Sequence, residues 1–88
     1  MEEILNNLRK EMTKLFVIKS LTIFFIAKLN KEITTTELRE LELIHPSKFT
    51  TFLKNIIADV EKELNKKGYK LIKKTTKYGG TSYICKLL

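Results

Sequence analysis

Tryptophan is absent from this 88-residue sequence, cysteine, histidine and proline occur once each, and there are three glycines. One cysteine closes no internal disulfide, and with one histidine it cannot supply the four ligands of a zinc site. So little glycine and proline, beside 43% hydrophobic residues, excludes a low-complexity or collagen-like chain. Long apolar runs are lacking too: Leu15 to Ala27, bounded by Lys14 and Lys28, is interrupted by Lys19 and falls short of the roughly 20 residues that cross a bilayer. Glu2 and Glu3 stand where a secretory leader would be basic, so a cytoplasmic, reducing setting with no membrane partner is expected. A chain of this length encloses one modest core, and a single domain over residues 1–88 follows.

Acid is the charge in short supply, and only at one end. The net charge is +7, yet every Asp and Glu lies at or before Glu63, while Lys66, Lys67, Lys70, Lys73, Lys74, Lys77 and Lys86 follow it. The first 63 residues are therefore neutral, and the last 25 carry the whole excess. A local field of that kind calls for a polyanionic partner. Arg9 and Arg39 are the only arginines, so phosphate-seeking point charges outnumber the planar forks that read guanine. Ile, Lys and Asn are abundant, as the codons of an AT-rich genome would make them.

Ile4, Leu5, Leu8, Met12 and Leu15 recur at three- and four-residue steps, the stripe of an amphipathic helix. From Leu15 to Leu29 the polar residues Lys19, Ser20, Thr22 and Lys28 scatter, so that stretch is apolar nearly all round and is expected to be buried. One small domain cannot cover it alone, and a second copy is expected to meet it together with Ile4, Leu8, Met12 and Leu15. After an extended link at Ile33, the Thr34/Glu37 capping-box spacing starts a second helix, about Thr35 to Leu43, burying Leu38, Leu41 and Ile44. Pro46 opens a third. Its core arc is Phe49, Phe52, Leu53, Ile56, Ile57, Val60 and Leu64, opposite Ser47, Thr51, Lys54, Asn55, Ala58 and Lys62. Lys66, Lys67 and Gly68 close it. Two β-branched, aromatic runs, Tyr69 to Lys77 and Thr81 to Leu87, flank Gly79-Gly80 and predict a β-hairpin.

This order, carried by ITTTELRELELIHPSKFTTFLKNI and GYKLIKKTTKYGGTSYICKL, resembles the winged helix-turn-helix family of DNA-binding domains over about Glu32 to Leu88. The resemblance implies an α+β fold with a core and dimerisation helix over 1–30, a helix-turn-helix over 31–68 and a hairpin wing over 69–88. It further implies that the third helix enters the major groove of double-stranded, AT-rich DNA with Ser47, Lys48, Thr51, Lys54 and Asn55, and that Lys70, Lys73, Lys74, Lys77 and Tyr78 hold the phosphates. Asn55 suits adenine and Thr51 a thymine methyl. The wing has no arginine, which argues against minor-groove readout.

No cofactor, metal or catalytic site is expected. His45 stands where it would cap a helix, Cys85 where a strand would bury an inert thiol, and Asp59, Glu61 and Glu63 beside lysines at helical pairing distance. A homodimeric, non-catalytic DNA-binding protein is the expectation, with two possible jobs: a small transcriptional repressor, or a centromere-binding adaptor like those of tubulin-type plasmid and phage partition systems, which engage a filament-forming GTPase. The competing class is a winged-helix module that binds other proteins.

Overall fold

The computed structural model describes residues 2–75, 77 and 79–88. The first element is α1 (Glu2–Ala27), uninterrupted by glycine or proline and opened by Glu2 and Glu3 at the positive end of its dipole. Only its second half joins the core. Val17, Ile18, Leu21, Thr22 and Phe25 are buried, and the Thr22 hydroxyl donates to the Ile18 carbonyl at 2.7 Å, which satisfies the one polar group taken inside. Residues 2–13 are exposed throughout. Burial of the Leu15–Leu29 stretch is thus one-sided in the single chain: Leu15, Phe16 and Ile23 are 55%, 61% and 68% exposed. No helix among the described residues is long and apolar enough to cross a membrane.

Asn30 takes a left-handed φ of 66°, a conformation its short amide tolerates, and donates its N–H to the Cys85 carbonyl at 2.8 Å. The link at Ile33 is a true strand, β1 (Glu32–Thr34). It is followed directly by α2 (Thr35–Glu40), whose first turn is capped by Thr34 Oγ1 accepting from the Glu37 N–H at 3.2 Å. This helix stops short of the expected Leu43. Continuing it would swing Leu43 well round from Leu38; instead Glu42 adopts φ 55° and the turn brings Leu41, Leu43 and Ile44 onto the core. Pro46–Lys48 then form a single 3-10 turn, and the α-helix proper, α3 (Phe49–Lys66), begins three residues later than the proline suggests. It ends at Gly68, whose φ of 88° closes the cap while its N–H bonds the Asn65 carbonyl at 3.1 Å.

The chain finishes in two strands, β2 (Tyr69–Thr75) and β3 (Thr81–Leu87). β2 is two residues shorter than expected, and Lys77 lies in the turn. All three strands form one antiparallel sheet in the order β1-β3-β2, so the last strand is central. Directly opposed residues share a face, which places Ile33, Leu71, Lys73, Tyr83 and Cys85 on the side of the helices and Glu32, Lys70, Ile72, Lys74, Ser82, Ile84 and Lys86 on the other. Tyr83 and Cys85 join Val17, Leu21, Phe25, Leu53, Ile56, Val60 and Leu64 in the core, where Phe25 meets Tyr83 edge-on with ring centres 6.2 Å apart.

Phe25 is fully buried between helix and sheet. Phe25→Ala should cost about 3–5 kcal/mol, a large share of a small domain's stability, and guanidinium unfolding should show the midpoint falling accordingly.

Candidate nucleic-acid interface

α2, the start of α3 and the hairpin enclose an open cleft of about 410 Å³. Three elements each send one cation into its lining: Arg39 from α2, Lys54 from α3 and Lys73 from β2. Thr35, Thr50, Thr81 and Tyr83 add hydroxyl groups, and no carboxylate lines the cleft among the described residues. Cations and hydroxyls with no competing acid have the chemistry that a phosphate group would require. Arg39 is positioned by stacking, its guanidinium carbon 5.0 Å from the centre of the Phe49 ring, and Phe49 is itself buried. Thr34 starts α2 and so sets where Arg39 emerges.

The helix residues singled out from the sequence fall on one exposed surface with two flanks. Ser47, Lys48, Thr51, Lys54 and Asn55 are all exposed. At about 100° per residue, Thr50 and Lys54 turn toward the hairpin while Thr51 and Asn55 face away from it, toward open solvent. Ser47 has a structural task as well. Its N–H donates to His45 Nδ1 at 3.3 Å and its Oγ lies 2.8 Å from the same nitrogen, so His45 caps the 3-10 turn as its position suggested.

The hairpin lysines are not brought together. Lys73 lines the cleft, Lys70 and Lys74 project from the opposite face of the sheet beside Lys86, and Lys77 is exposed in the turn. Tyr78 lies outside the described residues. Arg39, Thr35, Thr50, Thr81 and Tyr83 line the cleft without having been singled out from the sequence. For Arg39 the available signal was its rarity as one of two arginines; that it faces the hairpin follows from packing against Phe49, which no local pattern announces. Ile4, Leu8, Met12 and Leu15 lie on the exposed apolar stripe of α1, joined by Leu5, Phe16 and Ile23.

Burial pushes the Tyr83 phenol and the Cys85 thiol above their ordinary pKa values. Both groups stay protonated in the folded chain at pH values where an unfolded chain would lose the proton. Stability contributed this way is complete at neutral pH and declines as pH rises through roughly 9 and 10, so the unfolding midpoint should drop on the alkaline side. The Cys85 thiol should accordingly react with a water-soluble disulfide reagent only as fast as the chain opens; rapid labelling in native buffer would show the thiol to be accessible. Among the described residues no cluster of His, Cys, Asp and Glu could hold a metal ion. No family model matches this chain, and no curated protein or solved structure matches it.

Proposed function

We propose that this chain is a non-catalytic, homodimeric DNA-binding protein of the winged helix-turn-helix kind. α2 and α3 form the helix-turn-helix, α3 enters the major groove, and β2 and β3 form the wing. The observation that carries this reading is the acid-free cleft, where Arg39, Lys54 and Lys73 converge from three elements beside the exposed polar flank of α3. A phosphate seated there anchors the backbone. Thr51 and Asn55 are then left to meet base edges. Lys77 at the hairpin turn extends the contact along the same strand.

Dimerisation follows from α1. Seven exposed apolar residues, Ile4, Leu5, Leu8, Met12, Leu15, Phe16 and Ile23, occupy an arc of about 120° on one side of that helix. Half of α1 extends past the core as an isolated helix, a length that is marginal in water without a packing partner. A second copy placing the same stripe against it covers both at once and presents two α3 helices to two half-sites about one DNA turn apart.

Duplex binding should weaken steeply with salt. Arg39→Gln, Lys54→Gln and Lys73→Gln together should flatten the dependence of log affinity on log salt by about 5.4 for a dimer on one duplex, at about 0.9 for each lost phosphate contact of its two clefts, on specific and random DNA alike. Thr51→Ala and Asn55→Ala should instead lower the preference for a specific site by about 1–3 kcal/mol each and leave the salt slope unchanged. A triple variant that binds DNA as well as the wild type would overturn the cleft assignment. A single-operator repressor and a partition adaptor would both use this interface; footprinting separates one protected palindrome from phased repeats.

Charges at Leu8 and Met12 (Leu8→Glu, Met12→Glu) should convert the dimer to monomer in sedimentation and reduce operator affinity through lost avidity. A wild-type chain sedimenting as a monomer at micromolar concentration would remove the dimer.

A further inference from the structure

The seven lysines that follow Glu63 lie in two groups at the two ends of the hairpin. Lys73, Lys74 and Lys77 are toward the turn. Lys66, Lys67, Lys70 and Lys86 are at the base, where α3 passes through Gly68 into β2 and the Leu88 N–H donates to the Gly68 carbonyl at 3.0 Å. At about 3.3 Å per residue, Lys70 stands roughly 13 Å from Lys74 along the strand and farther still from the turn. Its side chain leaves the sheet on the face turned away from α3 and the cleft.

On that face Lys70 is directly opposite Lys86, a like-charge pair across the ladder of the kind that lowers stability. Among the described residues neither is within ion-pair distance of a carboxylate; the two ion pairs present are Lys14–Asp59 and Lys66–Glu63. The acid on this face, Glu32, sits on the far strand and accepts the Ser82 hydroxyl at 2.6 Å. Lysines commonly guard a sheet edge against unwanted pairing, which would account for Lys70 and Lys74 on the edge strand β2. It does not account for Lys86, which is on the central strand. An unbalanced cationic pair held at a cost is suited to an anionic ligand that supplies the missing charge.

We propose that the outer face of the sheet, centred on Lys70 and Lys86, binds the phosphate backbone of a second DNA duplex, so that each chain joins two DNA segments. The proposal rests on the DNA-binding reading of the cleft. A duplex held by α3 lies on the other side of the sheet and cannot also reach Lys70 and Lys86. A membrane surface is a poorer fit to the same charges. Ile84 and Ile72, the next opposed pair on this face, are buried and half-buried, and the exposed Leu87 stands opposite Tyr69 on the other face, so the strand residues of this face offer no apolar wedge to lipid.

The test counts duplexes per dimer by analytical ultracentrifugation with a labelled 30-base-pair duplex at low salt, using the full chain. Wild type should take up three duplexes per dimer at saturation, one shared by the two clefts and one on each outer face, the outer ones with a salt slope of about −1.8 from two lysine–phosphate contacts. Lys70→Gln with Lys86→Gln should keep the tight shared duplex and lose the outer ones. The cleft variant (Arg39→Gln, Lys54→Gln, Lys73→Gln) should keep the two weak outer duplexes, which the two base substitutions abolish. An equal or raised melting temperature for Lys70→Gln/Lys86→Gln, in which the like-charge pair is gone, verifies that the variant is folded. Wild type saturating at one duplex per dimer overturns the second surface alone, as does a base variant that still binds three. Wild type binding no duplex overturns the DNA reading with it. Capture of phosphatidylglycerol vesicles that depends on Lys70 and Lys86, without a second duplex, assigns the face to lipid and overturns the proposal.

Discussion

The tertiary structure depends on β3. It is the last element of the chain and the middle strand of the sheet, so β1 and β2 are joined only through it. Its residues Ser82, Tyr83, Ile84 and Cys85 are buried in succession, alternating between the two faces of the sheet. Three kinds of bond converge on this short stretch. The ladders run to both neighbours, the Cys85 carbonyl accepts the Asn30 N–H, and the Ser82 hydroxyl reaches Glu32, 50 residues earlier in the chain. The closure entropy of so long a loop is offset by the hydrophobic burial of Tyr83 and Cys85 in the core they share with α1 and α3. Without β3 the hairpin has no fixed place relative to α2 and α3, and the cleft has no third wall.

From that arrangement the electrostatics follow. A two-residue side-chain period applied to a lysine-rich hairpin cannot keep all the lysines on one side. Lys73 is turned in toward Arg39 and Lys54, whereas Lys70, Lys74 and Lys86 are turned out. The inward set is backed by packing: Arg39 rests on Phe49, and Phe49 is fixed in the core. The outward set flanks Ile84 and Ile72 and, among the paired strand residues, shares its face with the acid Glu32. One basic segment thus yields two surfaces of different character, a lined cleft and an open face.

α1 is the counterpart at the other end of the molecule. Its second half is locked by Val17, Leu21 and Phe25, and this rigid base carries the first half out as a continuous helix into solvent. Exposed apolar residues scattered singly are ordinary on any protein surface; seven on one side of one helix form a coherent patch. Lys14 bonds Asp59 at 3.7 Å where α1 begins to meet α3, marking the point at which intramolecular packing takes over from the free stripe.

Local chemistry sufficed for much of this. The amphipathic arc of α3, the Thr34 cap, the His45 cap, the Gly68 terminus and the glycine-hinged hairpin are all consequences of neighbouring residues acting within a few positions of one another, and the structure contains each of them. Where α2 stops was not local. Leu43 and Ile44 are drawn to the core and force Glu42 into a left-handed turn that no propensity favours. Nor was Ile33 as a strand, since three residues form β structure only when a partner 50 positions away is in place. The site divides in the same manner. Exposure of Thr51, Lys54 and Asn55 follows from helical periodicity, and a basic C-terminal segment from counting. The entry of Arg39 into the cleft, and the sorting of the lysines between two faces, were decided by strand register and by a ring stacked beneath a guanidinium. Those are contacts between distant parts of the chain, and they exist only once β3 is seated.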